Sequence, residues 1–511
     1  MVFYRRVMAL ASPLPSALRI GDLIRRNATA VPDRPAASLG GSVLSHRELD
    51  RTANRVGAAL RALGLGRGDR VVAWADTSLE QLALFAGAAK LGAVFAPLDA
   101  RLGPREAAEV ARIARPHLLV ADAPRAEAAA AVASELGVRA ADLGRIDARG
   151  DPRSLLHASH PEDDAAEPEL AETDPHVMFF TSGSTGRPKA VVLSHRANYL
   201  RSFQGVFRDR PEISVCMFPL FHMAGFTLAL AAWQTRGEIA LVASASAEAI
   251  LEAVARRRAN RLYCIPSVWQ RIVDAPARFD ASSLRELDTG TSAVPIELVR
   301  ALKQAFPGTS TRIYYGSTEC GSATALADAD VLRKPGSVGP PSPGVDLRIS
   351  GSGEICVRSA YLMDGYFGDP TATAEALRDG WYHTGDLGEL DDEGYLRVVG
   401  RIREVIRTGG ESVAPAEVEE ALRAHPSVAE VAVVGIPDPQ WGEIVCAVVV
   451  PAEGAAPTLS ELQKHCEDRI AGFKKPRRLE LAAALPRTPA TGQVQRALLV
   501  QQIQARPPRG A

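Results

Sequence analysis

Thr181-Ser182-Gly183-Ser184-Thr185-Gly186-Arg187-Pro188-Lys189 follows directly on the apolar run Val177-Met178-Phe179-Phe180. The run reads as a buried strand that empties into a loop of glycines and hydroxyls bearing one lysine. Glycine lets the backbone curl so that successive N–H groups converge on an anion, the hydroxyls add donors, and Lys189 adds charge. Thr181, Ser182, Gly183, Ser184, Thr185, Gly186 and Lys189 are therefore candidate phosphate-binding residues. The order is not that of a Walker A loop, because Gly-x-x-x-x-Gly-Lys-Ser/Thr is absent. A serine- and glycine-rich surface turn has the same composition, so the loop alone does not decide between the two.

The surroundings favour a helix-covered sheet. Strand-like runs at Arg70-Val71-Val72-Ala73-Trp74, His117-Leu118-Leu119-Val120-Ala121 and Glu238-Ile239-Ala240-Leu241-Val242 alternate with alanine-rich helical stretches, the α/β pattern of parallel sheets covered by helices. The segment from Ala123 to Ala141, punctuated by Val132, Leu136 and Val138, reads as one simple helix. Between Gly150 and Pro175 the chain turns acidic and proline-bearing, and we expect an exposed, solvated connection there. A chain of 511 residues is too long for one core and implies two or more domains. With 59 basic and 60 acidic residues, the net charge of −1 argues against a nucleic-acid or polybasic membrane partner. The cysteines show no Cys-x-x-Cys spacing, so neither a zinc site nor a disulfide framework is indicated. The apolar run at the N-terminus is too short for a secretion signal, and no apolar stretch is long enough to span a bilayer. These readings describe a soluble, cytoplasmic enzyme acting on a small molecule.

Further motifs accompany the loop. Ala89-Lys90-Leu91-Gly92-Ala93-Val94-Phe95-Ala96-Pro97-Leu98-Asp99 precedes it; Phe218-Pro219-Leu220-Phe221-His222, Tyr315-Gly316-Ser317-Thr318-Glu319, Trp381-Tyr382-His383-Thr384-Gly385-Asp386-Leu387-Gly388 and Gly400-Arg401 through Glu419 follow. In this order and spacing, from about Ala17 to the C-terminus, the chain resembles the adenylate-forming superfamily of acyl-CoA synthetases, peptide-synthetase adenylation domains and beetle luciferases. The resemblance implies a large N-terminal domain of helix-covered sheets, residues 1–400, that binds nucleotide and acyl group. A small mobile α+β domain, residues 401–511, would follow, with its hinge near Arg403, where the family usually has Asp or Lys.

Each motif has residue types suited to the role the resemblance gives it. Tyr315 offers an aromatic face to adenine, with Gly316 and Ser317 beside it; Thr318 offers a hydroxyl to the α-phosphate, and Glu319 a hard carboxylate to Mg²⁺. Asp386 would accept hydrogen bonds from the ribose hydroxyls, with Arg401 donating to the same sugar. Gly290 and Thr291, in Asp288-Thr289-Gly290-Thr291-Ser292-Ala293, stand where a Gly-Gly-Ala-Pro-like turn would line the nucleotide and acyl pocket. Ala190 also departs from the glycine preferred after Lys189. His222 resembles the aromatic gate between the acyl pocket and the thiol tunnel, and a core histidine is the plainer alternative. Gly409 and Gly410 match the turn that lines that tunnel during thioester formation. Trp441, Phe473 and Lys475 fall where some acyl-CoA ligases hold the CoA nucleotide, although a cation cluster is usually solvated surface.

One position departs sharply. In Leu485-Pro486-Arg487-Thr488-Pro489-Ala490-Thr491-Gly492-Gln493-Val494-Gln495-Arg496, Gln493 stands where the family places a lysine that bridges the substrate carboxylate and the α-phosphate during adenylation. No lysine follows Lys475, so a register shift does not supply one. Glutamine still donates a hydrogen bond but carries no charge. The expected function is an acyl-CoA ligase that is impaired in, or lacks, ATP-driven adenylation and passes the acyl group of a preformed acyl-adenylate to CoA. Its ligands would be the AMP moiety of the adenylate, or ATP with Mg²⁺, and CoA. Such an enzyme implies a separate adenylating enzyme that supplies the adenylate. The competing readings are a complete ATP-dependent carboxylic acid–CoA ligase and, from another class, a non-catalytic acyl- or nucleotide-binding relative. Amide formation or the loading of a carrier protein would be recognised by product with an amine or a phosphopantetheinyl protein and none with CoA. The apolar walls near His222–Thr227 and Gly290–Val294 disfavour an amino-acid substrate.

Overall fold

The computed structural model describes residues 18–146, 154–181, 188–203, 210–275, 278–409, 411–467, 469–488 and 492–505. Two large sheets dominate the first 366 residues. The eight-stranded sheet runs in the order Gly321–Leu326, Ser310–Ser317, Glu286–Gly290, Arg261–Tyr263, Ile213–Cys216, Glu238–Leu241, Pro35–Leu39, Ser42–Ser45. Its six inner strands are parallel and its two edges antiparallel. The seven-stranded sheet runs Gly365–Tyr366, Lys189–Ser194, Pro175–Thr181, Val94–Pro97, Arg70–Trp74, Leu118–Ala121, Arg139–Asp142. The strands expected near 70–74, 117–121 and 238–242 all form.

The helices Leu79–Leu91 and Met223–Gln234 lie between these sheets and touch strands of both. Leu79–Leu91 is buried at every position except Glu80, as a helix enclosed between two layers must be. Ser78 caps its start by accepting from Gln81 N, and Gly92, at φ 78°, closes it. Phe85 stacks on Phe226 at 4.6 Å. Lys90, only 2% exposed, is tolerated there because Asp50 (2.7 Å) and Asn54 Oδ1 (2.6 Å) receive its ammonium.

Two expectations need correction. The alanine-rich segment is a helix only over Ala126–Leu136; Gly137, at φ 68°, ends it, and Arg139–Asp142 adds an edge strand. The acidic stretch before Pro175 is not simply a solvated connection. Leu155, Leu156, Ala165 and Leu170 are buried. Glu162 pairs with Arg51 and Arg55, Asp164 lies 3.4 Å from Lys90, and Asn54 Nδ2 donates to Glu162 O at 3.0 Å.

A third, antiparallel sheet contains Val345–Ile349, Glu354–Ser359, Trp381–Leu390, Leu377–Arg378 and Leu396–Arg401. After it, the short 3₁₀ turn Ile402–Glu404, with Arg403 exposed, leads into a smaller α+β unit. There Gly442–Pro451 pairs with Val428–Asp438, Ile406–Thr408 and Arg478–Leu481, and Ile406–Thr408 pairs in turn with Glu411–Val413. One face of this sheet buries Val433 and Val445 with Val418, Leu422 and Leu462. The other buries Val434 and Cys446 with Leu485, Leu499 and Ile503. All six cysteines are buried and free. No described helix is long and apolar enough to cross a membrane.

Candidate active site

Pairing of Pro175–Thr181 with Lys189–Ser194 sets Thr181 opposite Lys189, so the two ends of the glycine loop are pinned side by side. Ser182, Gly183, Ser184, Thr185 and Gly186 lie outside the described residues. Ala190 is an ordinary buried strand residue, opposite Phe180. Lys189 Nζ sits 4.5 Å from the ring centre of Tyr366. Tyr366 belongs to the two-residue strand on the other side of Lys189–Ser194 and pairs with Val191. Its hydroxyl donates to Glu319 Oε1 at 3.1 Å, while Met363 N donates to Glu319 O at 2.7 Å. A single aromatic side chain thus joins the loop lysine to the candidate metal carboxylate.

The Ser317–Thr318–Glu319 turn is fixed from beneath. Arg201, buried, donates to Thr318 O (2.9 Å) and to Tyr361 O (2.7 Å). A Cβ on Gly316 would stand 1.9 Å from Gly321 O, so only glycine fits. Glu319 has no ion pair among the described residues, and its hard oxygens suit Mg²⁺, which shares its ligands with phosphates.

Tyr315, Asp386 and Arg401 come together. Tyr315 Oη donates to Asp386 Oδ2 at 2.8 Å, and Arg401 Nε lies 3.0 Å from Oδ1. Burial raises the Asp386 pKa above the usual carboxylate value, against the opposing pull of Arg401 and of the Tyr315 hydrogen bond. The turn carrying Asp386 is held by Glu354, which accepts from Gly385 N (3.0 Å) through one oxygen and meets His383 Nδ1 (2.8 Å) with the other. Gly385, at φ 73°, makes the turn possible. Sequence reasoning missed Tyr366, Arg201 and Glu354; the signal available for Tyr366 and Glu354 was the adjacent Gly365 and Gly353, while Arg201 is simply the last residue of the helix His195–Arg201.

His222 caps the helix Met223–Gln234, accepting from Ala224 N through Nδ1 at 3.2 Å, and stacks on Phe218 at 5.7 Å. Burial pushes its pKa down to about 4, so the ring is neutral near pH 7. Gly290 ends the strand Glu286–Gly290, and Thr291 follows at φ 68°, the left-handed region that a β-branched residue rarely adopts.

Gln493 reaches this turn from the C-terminal unit, its Nε2 donating to Thr291 O at 3.0 Å. The loop presenting it is tied by Thr488 N to Gln493 O (2.7 Å), Gln493 N to Thr488 Oγ1 (3.1 Å) and Arg487 Nη1 to Gly492 O (2.8 Å). Gly492, at φ 67°, packs close to Ile265 and Ser267. Gly409 lies beside Trp441 instead: its N donates to Trp441 O at 2.9 Å, and a Cβ would come within 2.8 Å of the indole. Gly410 lies outside the described residues. One face of Trp441 carries the Arg477 guanidinium at 3.9 Å. Phe473, 37% exposed, sits on the turn Gly472–Lys474, and Lys475 lies 3.5 Å from Glu467.

Residues 24–367 match the model of the AMP-binding enzyme family, and residues 417–491 match that of the AMP-binding enzyme C-terminal domain. The chain belongs to the AMP-binding enzyme family. Among curated relatives of this AMP-binding enzyme, a feruloyl-CoA synthase of Amycolatopsis is 35% identical over 91% of this chain and 95% of its own. The long-chain-fatty-acid–CoA ligase FadD13 of Mycobacterium tuberculosis is 32% identical over 96% and 99%. ATP-bound MatB from Rhodopseudomonas palustris superimposes with a TM-score of 0.86 at 29% identity, covering 95% of this chain and 99% of that one. These likenesses put the AMP-binding enzyme in the adenylate-forming superfamily, on its acyl-CoA ligase branch, and in the class of acid–thiol ligases.

Proposed function

We propose that this ligase makes acyl-CoA thioesters from acyl-adenylates and that its ATP-driven adenylation is weak or absent. The observation that carries the reading is the position of Gln493. Its uncharged amide is the group that the C-terminal unit delivers to the turn at Gly290 and Thr291. Adenylation brings a carboxylate against an anionic phosphorus, and a cation there offsets charge that an amide leaves standing. Gln493 can donate one hydrogen bond, and charge-assisted bonds are roughly twice as strong as neutral ones.

The remaining parts serve the second half-reaction. Tyr315 with Gly316 and Ser317, Thr318, Asp386 and Arg401 would hold the AMP moiety, and Lys189 and the glycine loop its phosphate. Mg²⁺, held by Glu319 when ATP is bound, would supply charge neutralisation on the triphosphate. Residues 401–511 would turn about Arg403 relative to residues 1–400, withdrawing Gln493 and presenting Gly409 and Gly410 beside the thiol, with His222 as gate. Trp441, Phe473 and Lys475 would meet CoA. The acyl-adenylate would come from a separate adenylating enzyme. The complete ATP-dependent ligase is the second reading, favoured by the donor that Gln493 retains within 3.0 Å of Thr291 O. Acid-dependent exchange of labelled pyrophosphate into ATP separates the two. The proposal expects exchange near background across a panel of acids, and robust exchange would overturn it.

A further inference from the structure

The parallel strands beneath the Gly290 turn carry an unusual load. Residues two apart on a strand share a face. The register aligns Arg261 with Glu286, Tyr263 with Asp288 and Arg312, and Gly290 with Tyr314. One layer of this face is therefore ionic. Arg261, 1% exposed, places Nε 2.5 Å from Asp288 Oδ2 and Nη1 3.0 Å from Glu212 Oε2. Arg312 Nε lies 3.0 Å from Asp288 Oδ1, and Arg312 also pairs with Glu286. Asp288 and Glu212 are fully buried.

Toward the C-terminal strand ends the face turns aromatic, with Tyr263 level with Asp288 and Arg312 and Tyr314 one step further on, level with Gly290. Tyr263 and Tyr314 lie 6.1 Å apart with planes at 29°, flanking Gly290, where a Cβ would stand 2.3 Å from Tyr314 O and 3.0 Å from Tyr263 Oη, so only glycine lets the two rings close in on this strand. Phe218 meets Tyr263 edge-on at 5.3 Å and links it to His222. Neither tyrosine hydroxyl makes a hydrogen bond among the described residues. Both side chains are half-buried, and an unpaired hydroxyl that a bound acid covers costs free energy unless the acid satisfies it. An aliphatic chain driven past the tyrosines would have to displace ion-paired charges without replacing their partners, which is strongly disfavoured.

We propose that Tyr263 and Tyr314, backed by the Arg261–Asp288–Arg312 lattice, form the floor of the acyl pocket and select a compact, flat acid about one ring in size. The acid carries a hydrogen-bonding substituent at the end remote from its carboxylate; long unbranched fatty acids are excluded. This rests on the proposed acyl-adenylate ligand, with its acyl group against the walls near His222–Thr227 and Gly290–Val294.

The test is calorimetric binding of non-hydrolysable acyl-sulfamoyl adenosines, which needs no chemistry from the enzyme. The analogues carry a 4-hydroxyaryl, a plain aryl, an octanoyl or a dodecanoyl group, with sulfamoyl adenosine itself as the reference. The hydroxyaryl analogue should bind about tenfold tighter than the plain one, and the dodecanoyl analogue no tighter than sulfamoyl adenosine. Tyr263→Phe and Tyr314→Phe should together erase the hydroxyl preference while sulfamoyl adenosine binds as before, which also shows that the variant is folded. Tyr314→Gly should admit the octanoyl analogue about tenfold better. Dodecanoyl binding tighter than hydroxyaryl, or equal binding of the two aryl analogues, would overturn the proposal. Failure of every analogue, sulfamoyl adenosine included, would overturn the nucleotide reading beneath it.

Discussion

Restoring a lysine at position 493 should restore the first half-reaction. The loop bearing Gln493 is held by backbone and by Thr488 and Arg487, not by the glutamine side chain, whose Nε2 bonds only Thr291 O among the described residues. Gln493→Lys therefore changes the group delivered to the Gly290–Thr291 turn and leaves its delivery intact. A preorganised donor to the reacting charge is worth about 10²–10³ in rate, about 3–4 kcal/mol. Because glutamine keeps a neutral donor, the lower end of that range, about 10², is the expected gain. The assay is acid-dependent ATP–pyrophosphate exchange, beside CoA thioester formation from synthetic acyl-adenylate. The variant should gain exchange about a hundredfold and change thioester formation by less than about threefold. Unchanged exchange in Gln493→Lys, or wild-type exchange already equal to it, would refute the reasoning.

Tyr366→Phe, made in the Gln493→Lys background, removes the hydrogen bond to Glu319 and keeps the ring face under Lys189. It should raise the Mg²⁺ concentration for half-maximal exchange by about threefold to tenfold, with adenylate-to-CoA transfer unaltered; an unmoved Mg²⁺ titration would contradict the linkage. Gly409→Ala forces a side chain into φ 60° and within 2.8 Å of Trp441, at a cost of about 1 kcal/mol. Thioester formation should fall at least about tenfold, which single-turnover kinetics from the adenylate would reveal, and a rate within twofold of wild type would remove Gly409 from the thiol step. Burial holds His46 down to about 4, His195 to about 3 and His176 well below its ordinary value. These folded-state values lie under the unfolded value of about 6.5, so the unfolded chain binds protons first. Stability is then full above pH 6.5 and is lost as pH falls toward 4, by about 1.4 kcal/mol per histidine per pH unit. Thermal melts between pH 7 and 4 should show a steadily falling Tm; a flat profile would contradict the neutral burial.

Much of this arrangement was legible because local chemistry and order carried it. The apolar run before the loop announced the strand that sets Thr181 opposite Lys189, and Tyr315, Asp386 and Arg401, singled out from separate motifs by residue type, lie within bonding distance of one another. What escaped was set by pairing between distant segments. Tyr366 matters because a two-residue strand zips onto Lys189–Ser194, which no periodicity announces. Tyr263 and Tyr314 share a floor only through the register of three strands. The acidic stretch before Pro175 read as solvated because its partners, Arg51, Arg55 and Lys90, lie some seventy to over a hundred residues earlier in the chain. Thr291 illustrates the reverse: its departure from a glycine-like turn was visible, whereas its left-handed backbone and its carbonyl bond to Gln493 were not.

The central claim is a division of labour within one ligase, and one paired measurement on the wild-type protein addresses it. CoA thioester is quantified from synthetic acyl-adenylates without ATP, beside the corresponding free acids with ATP and Mg²⁺. The account predicts product from the adenylates and about a hundredfold less, or none, from the acids. Comparable product from acid and ATP would contradict it and make Gln493 a tolerated variation in a complete ligase.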